Sequence, residues 1–382
     1  MSLSGFVFDP CLDERHRELL ETAREYELET VLDPRSVELA TEGGMARSGM
    51  SSLPWSLDNV PHRPPQLAAA TQDFAERLAS YAVEHRYSAV LAPTHFLHDA
   101  RDPWLAVDRA LTIALRGALD AHGGGSLPIY YPLVMSGVAF RSWSDRRLIK
   151  EHISGLPIDA LWLRIHGFGT TSSGPRSLRG YVEAGRDLHS LKIPIVADRA
   201  GSVGLALMAF GAVGGIESGI TLGERFNFGD LRKPRDGDKP FAPQARVYIE
   251  ELGCFLAKAQ ATEFFDVRGM KAKFGCRDTE CCRRGIDDTL RDPRPHFLNV
   301  RPGEVTKMGR LPEDLRAANY LDEFLRPATD LALSASRVFP QLEKTRLRLE
   351  GWRTTLGAIH RERPAESFAI SPSGERVMRR SA

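Results

Sequence analysis

The chain has 382 residues, 42% of them hydrophobic and 26% charged, with a formal net charge of +1. This is the balance of a soluble globular protein with ample apolar side chains for a core. The sequence has no run of about eighteen uncharged apolar residues, which excludes a membrane-spanning helix. Met1-Ser-Leu-Ser-Gly5 lacks a basic, then apolar, leader, so a cytoplasmic location is expected.

At this length the chain can form one large α/β barrel with an appendage, or two ordinary domains. Short apolar runs predict strands at 6–8, 30–32, 88–91, 128–134, 160–165, 193–197 and 213–216, with an eighth at 246–249. Helical periodicity fills the gaps at 13–26, 66–84, 103–122, 145–154, 177–191 and 203–210. Uninterrupted apolar strands, each followed by a helix, imply a parallel sheet buried on both faces. Their number fits a (βα)8 TIM barrel.

Polar groups collect just after these strands: Asp33-Pro34-Arg35, Thr94-His95, Ser136-Gly137, His166-Gly167, Asp198-Arg199 and Glu217-Ser218. Barrel enzymes assemble their sites at this end of the strands. Taken singly, each residue also has an ordinary structural use. Asp33 before Pro can cap a turn, His95 can be a half-buried core histidine, and Asp198 and Arg199 can form a local ion pair. Two long loops interrupt the alternation. Residues 41–66 are read as a lid over the barrel mouth, and residues 227–244, rich in Gly, Pro, Asp and Lys, as mobile.

Further along, Cys276, Cys281, Cys282 and His296 fall within twenty-one residues. Thiolates this close in a reducing cell point to a tetrahedral zinc site, although C-x4-C-C-x13-H lacks paired C-x2-C knuckles. The competing reading is a pair of buried free thiols with a helix-capping histidine. Cys11 and Cys254 read as small core residues. Residues 264–310 hold eleven Lys/Arg against seven Asp/Glu, and residues 341–382 nine against five. Two basic regions on a nearly neutral chain suit a phosphate backbone approaching one side, or two solvated helical faces. Helices are expected at 312–325, with Leu315, Ala318, Leu321 and Leu325 on one face, and at 328–360 with a break at Pro340. The expected domains are thus a barrel body (1–263), a Cys3His zinc-binding subdomain (264–310), C-terminal helices packing on the barrel (311–362) and a disordered basic tail (363–382).

The order of these features over residues 30–326 resembles the tRNA-guanine transglycosylase superfamily. Its members are TIM barrels with a structural Cys3His zinc subdomain, and they exchange guanine for a 7-deazaguanine in nucleic acid. The resemblance implies that Asp33, in Leu32-Asp33-Pro34-Arg35-Ser36, acts as general acid/base. It further implies that Glu217, in Gly214-Gly215-Ile216-Glu217-Ser218, is the covalent nucleophile. The family's base-recognising Asp falls on Thr94 or His95, and its VQGG motif reads Val134-Met135-Ser136-Gly137. The turn at His166-Gly167 is similar to its base-contacting backbone, with Arg164, Asp198 and Arg199 completing the substrate set. The zinc ligands fall on Cys276, Cys281 or Cys282 or both, and His296. Implied partners are nucleic acid (tRNA or DNA) and a free purine-like base, with a homodimer or heterodimer as assembly. Glu in place of Asp, and Met135 in place of Gln, depart from the family pattern. Two alternatives follow: a non-catalytic nucleic-acid-binding subunit of the same superfamily, or an unrelated barrel enzyme gripping a small anionic metabolite through Arg35, His95, Arg164 and Arg199.

Overall fold

The computed structural model describes residues 3–221, 224–234 and 245–362. Seven parallel strands, β1 (Gly5–Phe8), β2 (Glu29–Leu32), β3 (Ala89–Leu91), β4 (Ile129–Ser136), β5 (Ala160–His166), β6 (Ile195–Asp198) and β7 (Gly215–Glu217), lie side by side in chain order. Helices connect them, as the right-handed βαβ rule requires. All seven match the sequence expectation to within two residues at either end.

Alternation along each strand separates two cores. Val31, Ala89, Leu91, Ala160 and Trp162 share one cluster with Val7, Tyr130 and Val196. Side chains from β1 and β6 meet in that cluster only because the sheet curls, so this is the concave face. The residues between them, including Phe8, Leu32, Val90, Tyr131, Leu133, Leu163 and Ala197, pack outward against the helices in the main core. The sheet is therefore a curled half-barrel.

The eighth strand departs from expectation. Val247–Ile249 forms β8, but it pairs antiparallel with β9 (Cys254–Leu256) as a separate hairpin and bonds to neither β1 nor β7. Only four residues lie between the two apolar triplets, Gly253 turns back with φ +53°, and this local pairing satisfies the backbone. A closed eight-stranded barrel is not formed among the described residues.

The long 41–66 segment is anchored to the loop after β2. Trp55 is fully buried and donates from Nε1 to the Pro34 carbonyl at 2.9 Å. Gly43 approaches the Lys233 carbonyl so closely that an added Cβ would lie 2.1 Å away. Of the second loop, residues 235–244 lie outside the described residues, as does the basic tail at 363–382.

The C-terminal helices Glu313–Asn319, Arg326–Ser336 and Glu343–Glu362 pack back on the body. Trp352 Nε1 donates to the Ser173 carbonyl at 2.9 Å, and Arg179 pairs with Glu362 at 2.6 Å. The break at Pro340 is present as a short 3-10 turn. The buried face of the first of these helices is only partly the expected one. Leu325 is buried and Leu321 packs against the core as expected, but Leu315 is exposed and Arg316, Ala317 and Tyr320 are buried, where the helix passes into a π turn at Tyr320–Leu325 that shifts its phase. No helix among the described residues is long and apolar enough to cross a membrane.

Candidate functional site

Strand parity decides what faces the concave side at the carboxyl ends. Asp33 continues the inward phase of Val31, Arg164 that of Trp162, and Asp198 that of Val196; Glu217 is the register partner of Asp198. These four residues, from β2, β5, β6 and β7, meet in one network. Arg164 is its centre. Its Nε contacts Asp198 Oδ2 at 2.7 Å and its Nη2 reaches Asp33 Oδ2 at 3.5 Å, with all three side chains buried. Glu217 Oε2 accepts from the Arg199 backbone N–H at 3.0 Å, and Arg199 adopts φ +54° to present that group.

Around this centre lies a second ring, of which the sequence reading named only Arg35, for the small-anion alternative. Arg35 donates its backbone N–H to Asp33 Oδ1 at 2.9 Å and pairs with Glu38 at 2.9 Å and Asp9 at 3.5 Å. Glu38 is 1% exposed. Its signal was present, since an acid five positions beyond a strand-end Asp is well placed to return to the same rim.

The acids differ in protonation because their surroundings differ. Burial pushes the Asp33 carboxyl up, but the guanidiniums of Arg164, Arg35 and Arg199 and the Arg35 N–H outweigh it and hold Asp33 below the usual carboxylate range. Glu217 goes the other way. Burial first, and then the facing Asp198 carboxylate, raise it to about 8, with Arg199 and Arg164 only partly offsetting them. Asp198 Oδ1 has no other hydrogen-bond donor, and a proton on Glu217 fills that acceptor. The rim therefore holds an anion at Asp33 and a carboxyl of raised proton affinity at Glu217.

Other expected site residues are spent elsewhere. His95 is fully buried, bonds through Nδ1 to Asp108 at 2.6 Å and stacks on Trp104 at 3.7 Å. Thr94 donates its hydroxyl to the Pro132 carbonyl at 2.6 Å. Met135 is out of phase with Val134 and packs in the outer core. Ser136 bonds to the His98 carbonyl at 2.8 Å and caps the short helix Gly137–Arg141. His166 does reach the mouth, where its Nδ1 accepts the Phe228 N–H at 3.0 Å; Gly167, with φ +75°, donates its N–H to the Phe226 carbonyl at 3.0 Å.

The second candidate site is the cysteine cluster. Asp278 nucleates a tight turn, accepting from Glu280 N–H at 2.8 Å and Cys281 N–H at 3.3 Å, which brings the two adjacent thiols toward Cys276. His296 comes from the first turn of helix Pro293–Gly309, with Asp292 as its N-cap and Pro293 at its first position. The four ligand atoms lie within 4.8 Å of one another. Cys281 Sγ to Cys282 Sγ is 3.7 Å, and His296 Nδ1 lies 3.5 and 3.7 Å from those sulfurs. Metal–sulfur bonds of about 2.3 Å and a metal–nitrogen bond of about 2.0 Å in a tetrahedron give edges of about 3.8 and 3.6 Å. The spacing thus fits a four-ligand metal shell and is far too long for a disulfide. Cys281 and Cys282 both belong to the group.

Electrostatics and outer contacts agree with a cation there. Burial and the neighbouring thiols push Cys276 up to about 12, and Cys281 is raised by the same causes, so the group cannot ionise without a compensating positive charge. His296 also hydrogen-bonds the backbone of Tyr248, the kind of second contact that orients an imidazole ligand. Arg277, Arg283, Arg284, Arg291 and Arg294 are exposed around the cluster.

Helix Pro293–Gly309 links the two sites. Arg301, buried and lying over the Tyr248 ring at 4.7 Å, donates to Ser202 Oγ at 2.7 Å, and Ser202 follows Asp198 and Arg199 in the loop after β6. The protein-family models and the curated proteins contain no match to this chain.

Proposed function

We propose that the chain is a transglycosylase-like enzyme that exchanges or cleaves a purine or 7-deazapurine base at an N-glycosidic bond in nucleic acid. The observation that carries this reading is the meeting of Asp33 and Glu217, with Asp198 between them, around Arg164 at the carboxyl ends of parallel strands. Two carboxyl groups of different proton affinity are what displacement at an anomeric carbon needs. Glu217, once ionised, attacks the sugar carbon as the carbon–nitrogen bond breaks and the electron pair leaves with the base. Asp33, an anion in the resting site, accepts the proton that the entering base loses, while the departing base takes its proton from solvent.

In this reading the Cys3His group binds zinc. Four protein ligands leave no position for a reacting water, so the ion is structural. It holds the exposed arginines of residues 264–310 where a phosphate backbone can pass, with tRNA or DNA as the polymer. Zinc adds folding energy and no chemical step. The TIM-barrel kinship is a proposal of the same standing, supported by seven parallel strands in unbroken order.

The second reading, a non-catalytic nucleic-acid-binding subunit, has one observation in its favour: Arg164 ties two of the three acids into buried ion pairs. Incubation of the zinc-loaded protein with labelled purine or 7-deazapurine base and tRNA or DNA separates the two. Base incorporation or release that disappears in Glu217→Gln and Asp33→Asn supports the enzyme. Salt-sensitive polymer binding without turnover, unchanged in both variants, supports the binding subunit.

A further inference from the structure

Thr94 and His95 are committed to internal partners and Met135 faces the outer core, so these three positions do not line the mouth, whereas Arg164, Asp198 and His166 do. An aromatic cluster does. Phe96 from the loop after β3 and Phe226 and Phe228 from the segment after β7 pack with Val37 and Val134. Val134 is the register partner of Arg164, so the cluster adjoins the acid network.

Within it, Phe96 and Phe228 lie face to face, 3.8 Å between centroids and 7° between planes. That is the contact spacing of flat stacked rings, closer than the roughly 4.5–7 Å usual for aromatic side-chain pairs. The two rings are not equivalent. Phe96 is buried, whereas Phe228 is part-exposed on a segment held to the mouth by its N–H bond to His166 Nδ1. His98, exposed, and His166 stand edge-on to the pair, at 6.0 Å from the Phe228 ring and 5.8 Å from the Phe96 ring. The result is a planar slot with an apolar floor, polar imidazole edges and an occupant from the protein's own chain.

We propose that the Phe96 ring is the stacking floor for a planar heteroaromatic base, and that Phe228 occupies this place until the base displaces it. The ligand class rests on the function proposed above; the slot itself rests on the aromatic geometry alone. Stacking on one aromatic face tolerates different bases, because each has a π face. It therefore compensates for the contacts that Thr94, His95 and Met135 do not offer. Displacing Phe228 costs binding free energy, so removing it favours the ligand.

The test is calorimetric binding of free 7-deazaguanine to the zinc-loaded full chain and to three variants of it. Phe96→Leu is expected to weaken binding about tenfold, in keeping with base–aromatic stacking. Phe96→Tyr, which keeps a flat ring, retains wild-type affinity, and Phe228→Ala binds several-fold more tightly. Opposite signs for the two halves of one stack are not produced by a merely structural pair. Equal weakening by both truncations, wild-type affinity in Phe96→Leu, or no binding by wild type and Phe228→Ala alike overturns the proposal. Binding with the expected signs but without base exchange leaves the slot and removes the enzymatic reading; exchange indifferent to Phe96 does the reverse.

Discussion

The metal cluster and the acid rim were assembled by opposite routes. Cys276, Cys281, Cys282 and His296 are neighbours in the chain, brought together by a turn at Asp278 and the start of one helix. Asp33, Arg164, Asp198 and Glu217 are separated by most of the body and meet only because four strands share register and phase. The first site brings together thiols whose ionisation burial and one another oppose; the second carries its own counter-charge in Arg164. A local site of this kind depends on one turn and one helix start, while a distributed one depends on the integrity of the sheet.

The largest effects should therefore come from the metal ligands. Cys281→Ser and Cys282→Ser are each expected to abolish stoichiometric metal content by elemental analysis, and chelation should destabilise residues 264–310 first in hydrogen exchange. Retention of the metal by either variant breaks the four-ligand assignment. Next, Arg164→Ala should cost about 3–5 kcal/mol in denaturant unfolding, because it leaves two buried carboxylates unpaired. Arg164→Ala in a protein whose Asp33 and Asp198 are also replaced by Asn should lose much less, which isolates the charge term.

A smaller, signed effect separates Glu217 from Asp33. Because Glu217 is raised to about 8 in the folded protein, folding takes up protons, and its contribution to stability declines as pH climbs from the ordinary Glu range through about 8. Glu217→Gln should raise the melting temperature at pH 9 and leave it unchanged at pH 4. Asp33, lowered in the folded protein, stabilises above its unfolded pKa, and that gain is lost on acidification; Asp33→Asn should destabilise at pH 7. A common sign for the two variants at high pH would refute the division of the rim. The smallest change is expected for Trp55→Phe, at about 1 kcal/mol from the lost bond to the Pro34 carbonyl. No loss there would show that this bond does not anchor residues 41–66.

The seven parallel strands were legible because each is a short apolar run with both faces covered, a composition that leaves little ambiguity. The acids at their ends were legible for the same reason: a strand boundary marks the rim. What escaped was partnership. Nothing in the chain says that His95 would be spent on Asp108 rather than on a ligand, or that Met135 would fall on the outer phase beside an inward Val134. The eighth strand failed because 246–249 has a nearer partner in 254–256, and local antiparallel pairing prevailed over closure. Leu315 misled because a π turn, invisible to a 3.6-residue count, rotates the helix that carries it.

The central claim is that Glu217 is the group that bonds to sugar carbon. Its most direct test is denaturing isolation of the protein after incubation with polynucleotide and base, followed by peptide mapping of any covalent adduct by mass spectrometry across pH 6 to 9. The account predicts an adduct on the peptide carrying Glu217, growing as pH rises through about 8. An adduct on another peptide, or equal adduct formation by Glu217→Ala, would contradict it.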